Sequence, residues 1–180
     1  MSFHFVRELP TPAVVKEMHP VPAALAEIKR ERDRMISDVL LGKDDRFLVI
    51  IGPCSADRED AVCDYVTRLA HIQEKVKDRL ILIPRIYTNK PRTTGEGYKG
   101  IVSQPNPEEA PNMLNGLMAM RKMHIRAMQE SELTAADEML YCENWSFVGQ
   151  LGLCIRYSVL CRHRRAFGGR PASPPDSERL

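Results

Sequence analysis

Two hydrophobic rhythms alternate along the chain, one with the period of a helix and one with the short apolar runs of buried strands. Over residues 11–42, Leu25, Ile28, Met35, Ile36 and Leu40 recur at helical spacing and Pro22 suits a first turn, which predicts an amino-terminal helical segment. Phe47–Ile51 is a run of β-forming residues closed by Gly52-Pro53, which predicts a buried strand and a turn. Ser55 or Asp57 then fits as the cap of a helix to about Lys77, with Val62, Tyr65, Val66, Leu69 and Ile72 on its inner face. Residues 80–86 predict a second buried strand in spite of Pro84 near its end. Asn112 is placed to open a Met-rich helix to about Glu130. Residues 133–140 predict a third strand, and residues 143–151 the start of a further helix. Strands and helices in alternation imply an α/β protein built from parallel βα units.

Composition narrows the class of protein. The 180 residues can bury one sizeable core, and 43% hydrophobic with 28% charged residues is ordinary for a globular domain. A formal charge of +2 argues neither for nucleic acid nor for a membrane surface. No apolar run approaches the roughly 20 residues that span a bilayer, and the first residues lack an apolar signal core, so a cytoplasmic protein is expected. Cys54, Cys63, Cys142, Cys154 and Cys161 form no CxxC pair or metal-finger spacing, and read as thiols of which any could be a single metal ligand.

The chemistry concentrates in residues 90–100. Lys90, Arg92 and Lys99 supply charge, Thr93 and Thr94 hydroxyls, and Gly95, Gly97 and Gly100 let backbone N–H groups approach an anion. Arg can grip a phosphate with two parallel hydrogen bonds. Following a predicted strand, such a loop suits a small phosphorylated substrate. Composition alone fits a solvated basic loop equally well.

Three segments together resemble class I 3-deoxy-D-arabino-heptulosonate 7-phosphate (DAHP) synthase. They are Val-Ile-Ile-Gly-Pro-Cys-Ser at residues 49–55, Pro-Arg-Ile-Tyr-Thr-Asn-Lys-Pro-Arg-Thr-Thr at 84–94 with Tyr-Lys-Gly at 98–100, and Ala-Ala-Asp-Glu-Met-Leu-Tyr at 135–141. Gly-Pro-Cys alone could be any turn after a strand; Lys-Pro-Arg-Thr-Thr about 35 residues later is strongly specific. The resemblance runs over roughly residues 1–150. It implies a TIM (β/α)8 barrel, a divalent metal (manganese, iron, cobalt or zinc), and the condensation of phosphoenolpyruvate (PEP) with erythrose 4-phosphate. By motif, Cys54 matches the metal-ligand cysteine, and Arg85 and Lys99 match residues that hold PEP. Lys90, Pro91, Arg92 and Thr93 match the segment that holds erythrose 4-phosphate, with Lys90 and Arg92 at the reacting centre. Glu138 resembles an acid of the PEP pocket. Such cations at the ends of barrel strands fall where TIM-barrel sites form.

Without the motif, Cys54 would read as a buried structural thiol, Arg85 as an ion-pair partner and Lys99 as surface charge. His71 and His124 are assigned no role. Met113, Met118, Met120, Met123 and Met128 read as core packing.

A complete barrel takes roughly 250 residues, so the chain is expected to supply about three βα units of an incomplete one. The expected divisions are an amino-terminal extension at 1–42, a partial barrel at 43–150 and an aberrant, disordered tail at 151–180. In such enzymes the extension often serves subunit contact in a homo-oligomer and feedback inhibition by aromatic amino acids. The tail has six arginines and no lysine and shows no periodicity. The family's next landmark, Leu-Ser-Tyr-Val-Ala-Ile-Gly-Ala-Arg, is absent in frame. Permitted codons for residues 158–179, read one base out of register, spell that landmark and its continuation, which predicts a frameshift between about Gly149 and Tyr157. Cys142 stands where the family commonly has Pro. With the remaining metal ligands and PEP-phosphate Arg in the missing half, the chain alone is expected to be inactive and poorly soluble. The alternatives are a non-catalytic phosphate-binding or oligomer-modulating fragment, a related sugar-acid phosphate synthase and, far behind, a basic-tailed nucleic-acid binder.

Overall fold

Two prolines divide what the pattern predicts as one amino-terminal helical segment. The computed structural model describes residues 8–89, 97–138 and 144–154. Within them α1 spans Pro12–Met18 and α2 spans Ala23–Leu40. Pro20 and Pro22 lie between the two and have no N–H to continue a helical ladder; Pro22 is the residue before α2, not part of its first turn. Leu25 and Ile36 are buried, whereas Leu40 is exposed.

Among the described residues four strands follow: β1 (Phe47–Ile51), β2 (Leu80–Pro84), β3 (Ala135–Asp137) and β4 (Gly152–Cys154). Three helices connect them, α3 (Glu59–Val76), α4 (Met113–Ser131) and α5 (Trp145–Val148). β1 pairs with β2 and β3 with β4, both parallel. A parallel bridge between Arg85 and Ala136 joins the two pairs. The order is therefore β1-β2-β3-β4, with each helix crossing over between parallel neighbours, as the alternation of periods predicts. β3 is shorter than expected, and residues 139–140 of the predicted strand lie outside the described part. β4 is a strand that the pattern did not predict.

β2 is buried on both faces. Ile81 and Ile83 pack with Ile36 of α2, Leu48 and Ala136, while Leu82 faces Leu69 of α3 and Leu133. Its backbone also explains how Pro84 is tolerated. The Arg85 N–H donates to the Ile51 carbonyl on the β1 side, and the Ile86 N–H donates to the Ala136 carbonyl on the β3 side. Alternate residues bond opposite neighbours, so the N–H that Pro84 lacks belongs to the β3-facing edge and costs no bond to β1. Lower on that edge, side chains take the place of a strand. Gln73 of α3 donates to the Leu80 carbonyl at 2.9 Å and accepts from the Leu82 N–H at 2.6 Å, and buried Arg32 of α2 donates to the Leu82 carbonyl at 2.6 Å.

The main core lies between the helices and the outer face of this sheet. Val62, Cys63 and Val66 of α3 meet Leu117, Met120, Met123 and Ala127 of α4, with Val15, Phe147 and Val148 closing the group. Met120, Met123 and Met128 are core residues, while Met113 is exposed. Two sequence expectations for α3 differ from the structure. Ile72 is 50% exposed and Gln73 is the buried residue instead, because its amide is drawn to the β2 backbone. The helix also starts at Glu59 after Arg58 with no side-chain cap, and Glu59 and Asp60 place negative charge in its first turn. Arg126 of α4 bonds both of these acids as well as Glu130, tying the two helices together. Asn112 caps α4 as expected, accepting from the Asn115 N–H. Arg121, fully buried, donates to the carbonyls of His19 and Phe147, joining the end of α1 to α5 across α4.

Candidate active site at the carboxyl ends of the strands

Parallel strands deliver their following residues to one end of the sheet, and the candidate residues outside residues 90–96 lie at or beyond that end. Arg85 follows β2 directly. Its guanidinium donates to the Pro53 carbonyl at 2.9 Å, lies 5.1 Å from the ring centre of Tyr87, and approaches Glu138 at 3.7 Å. Glu138 in turn follows β3 directly. The arginine is thus anchored to the turn after β1 and faces an acid at the end of β3, with about a quarter of its side chain open.

The turn that carries Cys54 is held from both sides of the cationic segment. The Ala56 N–H donates to the Tyr87 carbonyl at 2.8 Å, just before the segment, and the Tyr98 hydroxyl donates to the Ala56 carbonyl at 3.3 Å, just after it. Burial, assisted by Asp57, pushes the Tyr98 phenol up to about 12, so the group remains a donor at neutral pH. The Val102 N–H donates to the Thr88 carbonyl at 3.2 Å. Gly97 and Gly100 take positive φ of 79° and 92° where the chain returns, a conformation that side chains resist. Cys54 itself is exposed, in contrast to the buried thiol that composition alone would suggest.

Arg85, Glu138 and the Cys54 turn are therefore brought to one region. Lys99 is exposed where the chain returns after residues 90–96. Lys90, Pro91, Arg92 and Thr93 lie outside the described residues, as do Cys142, Cys161 and residues 155–180 of the tail. His71 is exposed and His124 is buried. Sequence reasoning did not single out Thr88 and Asp137, two buried polar residues beside the site that bond each other. Asp137 immediately before Glu138 is the one signal that could have found the pair, since a charged residue inside an apolar strand needs a partner.

A divalent ion in a catalytic site takes about three protein ligands and an open position. Among the described residues no three His, Cys, Asp or Glu side chains converge in that way. Cys54 alone does not complete such a site. A hollow of about 690 Å³ lies at the opposite end of the strands, lined by Asp44, Arg46, Phe47, Lys77 and Arg79. It is remote from these groups, and its cations Arg46, Lys77 and Arg79 are offset by the carboxylates of Asp44, Asp45 and Asp78.

Parallel βα units with an arginine, an acid and a thiol-bearing turn at the carboxyl ends of the strands define an α/β protein of the class that builds its sites on strand-end loops. A profile of the DAHP synthetase I family matches residues 19–151, and the chain belongs to that family. Over 135 residues it is 36% identical to the Phe-sensitive phospho-2-dehydro-3-deoxyheptonate aldolase of Escherichia coli K12, covering 75% of this chain and 38% of that protein. Over 133 residues it is 39% identical to the phenylalanine-inhibited enzyme of the same name from Saccharomyces cerevisiae, covering 73% and 35%. The solved phospho-2-dehydro-3-deoxyheptonate aldolase of Francisella tularensis superposes with a TM-score of 0.74 at 27% identity, over 84% of this chain and 44% of that one. The chain spans less than half the length of each of these relatives.

Proposed function

We propose that this chain is the amino-terminal part of a DAHP synthase and carries a portion of its two-phosphate substrate site. In the complete enzyme, PEP and erythrose 4-phosphate condense to DAHP and inorganic phosphate, the first step of the shikimate pathway. Arg85 and Lys99 hold PEP, with Glu138 beside Arg85. Lys90, Pro91, Arg92 and Thr93 hold erythrose 4-phosphate, with Lys90 and Arg92 nearest the reacting atoms. Cys54 contributes one ligand to a divalent metal whose other ligands lie in the portion that this chain does not match. The observation that carries the reading is the convergence of the Cys54 turn, Arg85 and both feet of the cationic segment on one end of the sheet.

Residues 1–42 form an extension used for subunit contact in a homo-oligomer, residues 43–150 part of a (β/α)8 barrel, and residues 151–180 an aberrant tail; β4 extends the barrel portion slightly past that division. Among the described residues no helix is long and apolar enough to cross a membrane. The chain matches 38% of the Escherichia coli enzyme, and the isolated polypeptide is inactive; the PEP side of the site that it carries is what a binding measurement reads. Titration calorimetry tests this. PEP binding that disappears in Arg85→Ala, with no phosphate released when erythrose 4-phosphate is added, supports the reading. Absence of PEP binding refutes the half-site, and measurable phosphate release refutes the inactivity.

A further inference from the structure

We propose that Asp137 is a positioning residue: gripping Thr88 beyond the end of β2, it sets the point at which the chain leaves the sheet toward Lys90. The sheet's own ladder stops just short of this point. The Ile86 N–H donates to the Ala136 carbonyl at 2.9 Å, so a continued parallel ladder would pair the Thr88 N–H with the carbonyl of residue 138. The Asp137 side chain takes that rung. One carboxylate oxygen accepts the Thr88 N–H at 3.2 Å and the other accepts the Thr88 hydroxyl. The Thr88 carbonyl is meanwhile bonded by the Val102 N–H. Thr88 is thus fastened at its amide, its side chain and its carbonyl, two residues before Lys90.

Stability alone does not call for this arrangement. Asp137 and Thr88 are both almost fully buried, and a buried carboxylate is costly beside an apolar residue of similar size. His124 does not relieve that cost by a hydrogen bond, since its Nε2 lies 3.6 Å from Asp137 and neither ring nitrogen has a hydrogen-bond partner among the described residues. What the carboxylate does achieve is geometric. It ends the β2–β3 pairing while holding the two strand ends together, one leading to Lys90 and the other directly to Glu138, which faces Arg85. The inference rests on the reading that residues 90–93 meet erythrose 4-phosphate.

The test uses the full chain in two measurements, hydrogen exchange over residues 86–89 and 98–102 and calorimetry with erythrose 4-phosphate. Asp137→Ala removes both acceptors and is expected to speed exchange there by about tenfold, and Thr88→Val by about threefold, with exchange over residues 62–69 unchanged. Both variants are expected to weaken erythrose 4-phosphate binding by about the same factors, and Thr88→Ser to restore wild-type behaviour. If Asp137→Ala does not fold, Thr88→Val decides alone, since it keeps the side-chain shape. Wild-type exchange in Thr88→Val overturns the clamp. Faster exchange with unaltered binding overturns the positioning role. A wild-type chain that binds no erythrose 4-phosphate overturns the site reading and the positioning role with it, and the exchange measurement still reports whether the clamp exists.

Discussion

Gly52 lies so close to Arg85 that a Cβ at position 52 would stand 1.9 Å from the Arg85 carbonyl oxygen and 2.9 Å from its Cβ. The glycine after β1 is therefore required by the neighbouring chain rather than by its own backbone angles. Gly52→Ala forces β1 and β2 apart where Arg85 bonds Ile51 and Pro53. It is expected to lower unfolding stability by about 1–3 kcal/mol, read by urea denaturation, and to weaken PEP binding together with it. A variant as stable as the wild type would show that this end of the sheet yields easily.

Gln73 stands in for a strand along β2. Gln73→Leu keeps the bulk and leaves the half-buried Leu80 carbonyl and the buried Leu82 N–H without their partner. The expected loss is about 1–3 kcal/mol of unfolding free energy, measured in the same way, with more for Gln73→Ala because a cavity is added.

The thiols of Cys54 and Cys63 differ in environment. Burial pushes Cys63 up to about 11, while Cys54 is exposed. At pH 8, iodoacetamide should modify Cys54 in the folded chain and reach Cys63 only on unfolding, as mass spectrometry of the labelled peptides would reveal. The same shift has a sign for stability. Unfolded Cys63 releases its proton from an ordinary value of 9.0 whereas the folded residue holds it to about 11, so stability falls as pH rises through that interval. Cys63→Ala should fall less steeply there.

β1 has no partner strand on its outer edge among the described residues, and Phe47 is 74% exposed with Ile50 and Ile51 about half open. Such an edge templates aggregation. Phe47→Lys with Ile51→Lys should raise the concentration at which light scattering begins, without changing the far-ultraviolet circular dichroism. Unchanged scattering would place the sticky surface elsewhere.

The tail makes a prediction outside the protein. Sequencing the DNA for residues 158–179 should spell Leu-Ser-Tyr-Val-Ala-Ile-Gly-Ala-Arg and its continuation one base out of register. Codons that do not would remove the frameshift as an explanation.

The sequence by itself determined the alternation of strands and helices, because apolar period is a local property written into each segment. It also determined the family, because Gly-Pro-Cys, Lys-Pro-Arg-Thr-Thr and Ala-Ala-Asp-Glu survive as linear strings in fixed order. Asn112 as a cap and Met120, Met123 and Met128 as core were legible for the same reason. Tertiary structure alone decided the rest. Whether Ile72 or Gln73 faces inward depends on unpaired backbone groups of a strand several residues away, and helical period cannot register them. Gly52 is needed because of Arg85, 33 positions on. Thr88 and Asp137 become partners only when two parallel strands end side by side, a contact between residues 49 positions apart that no local pattern encodes.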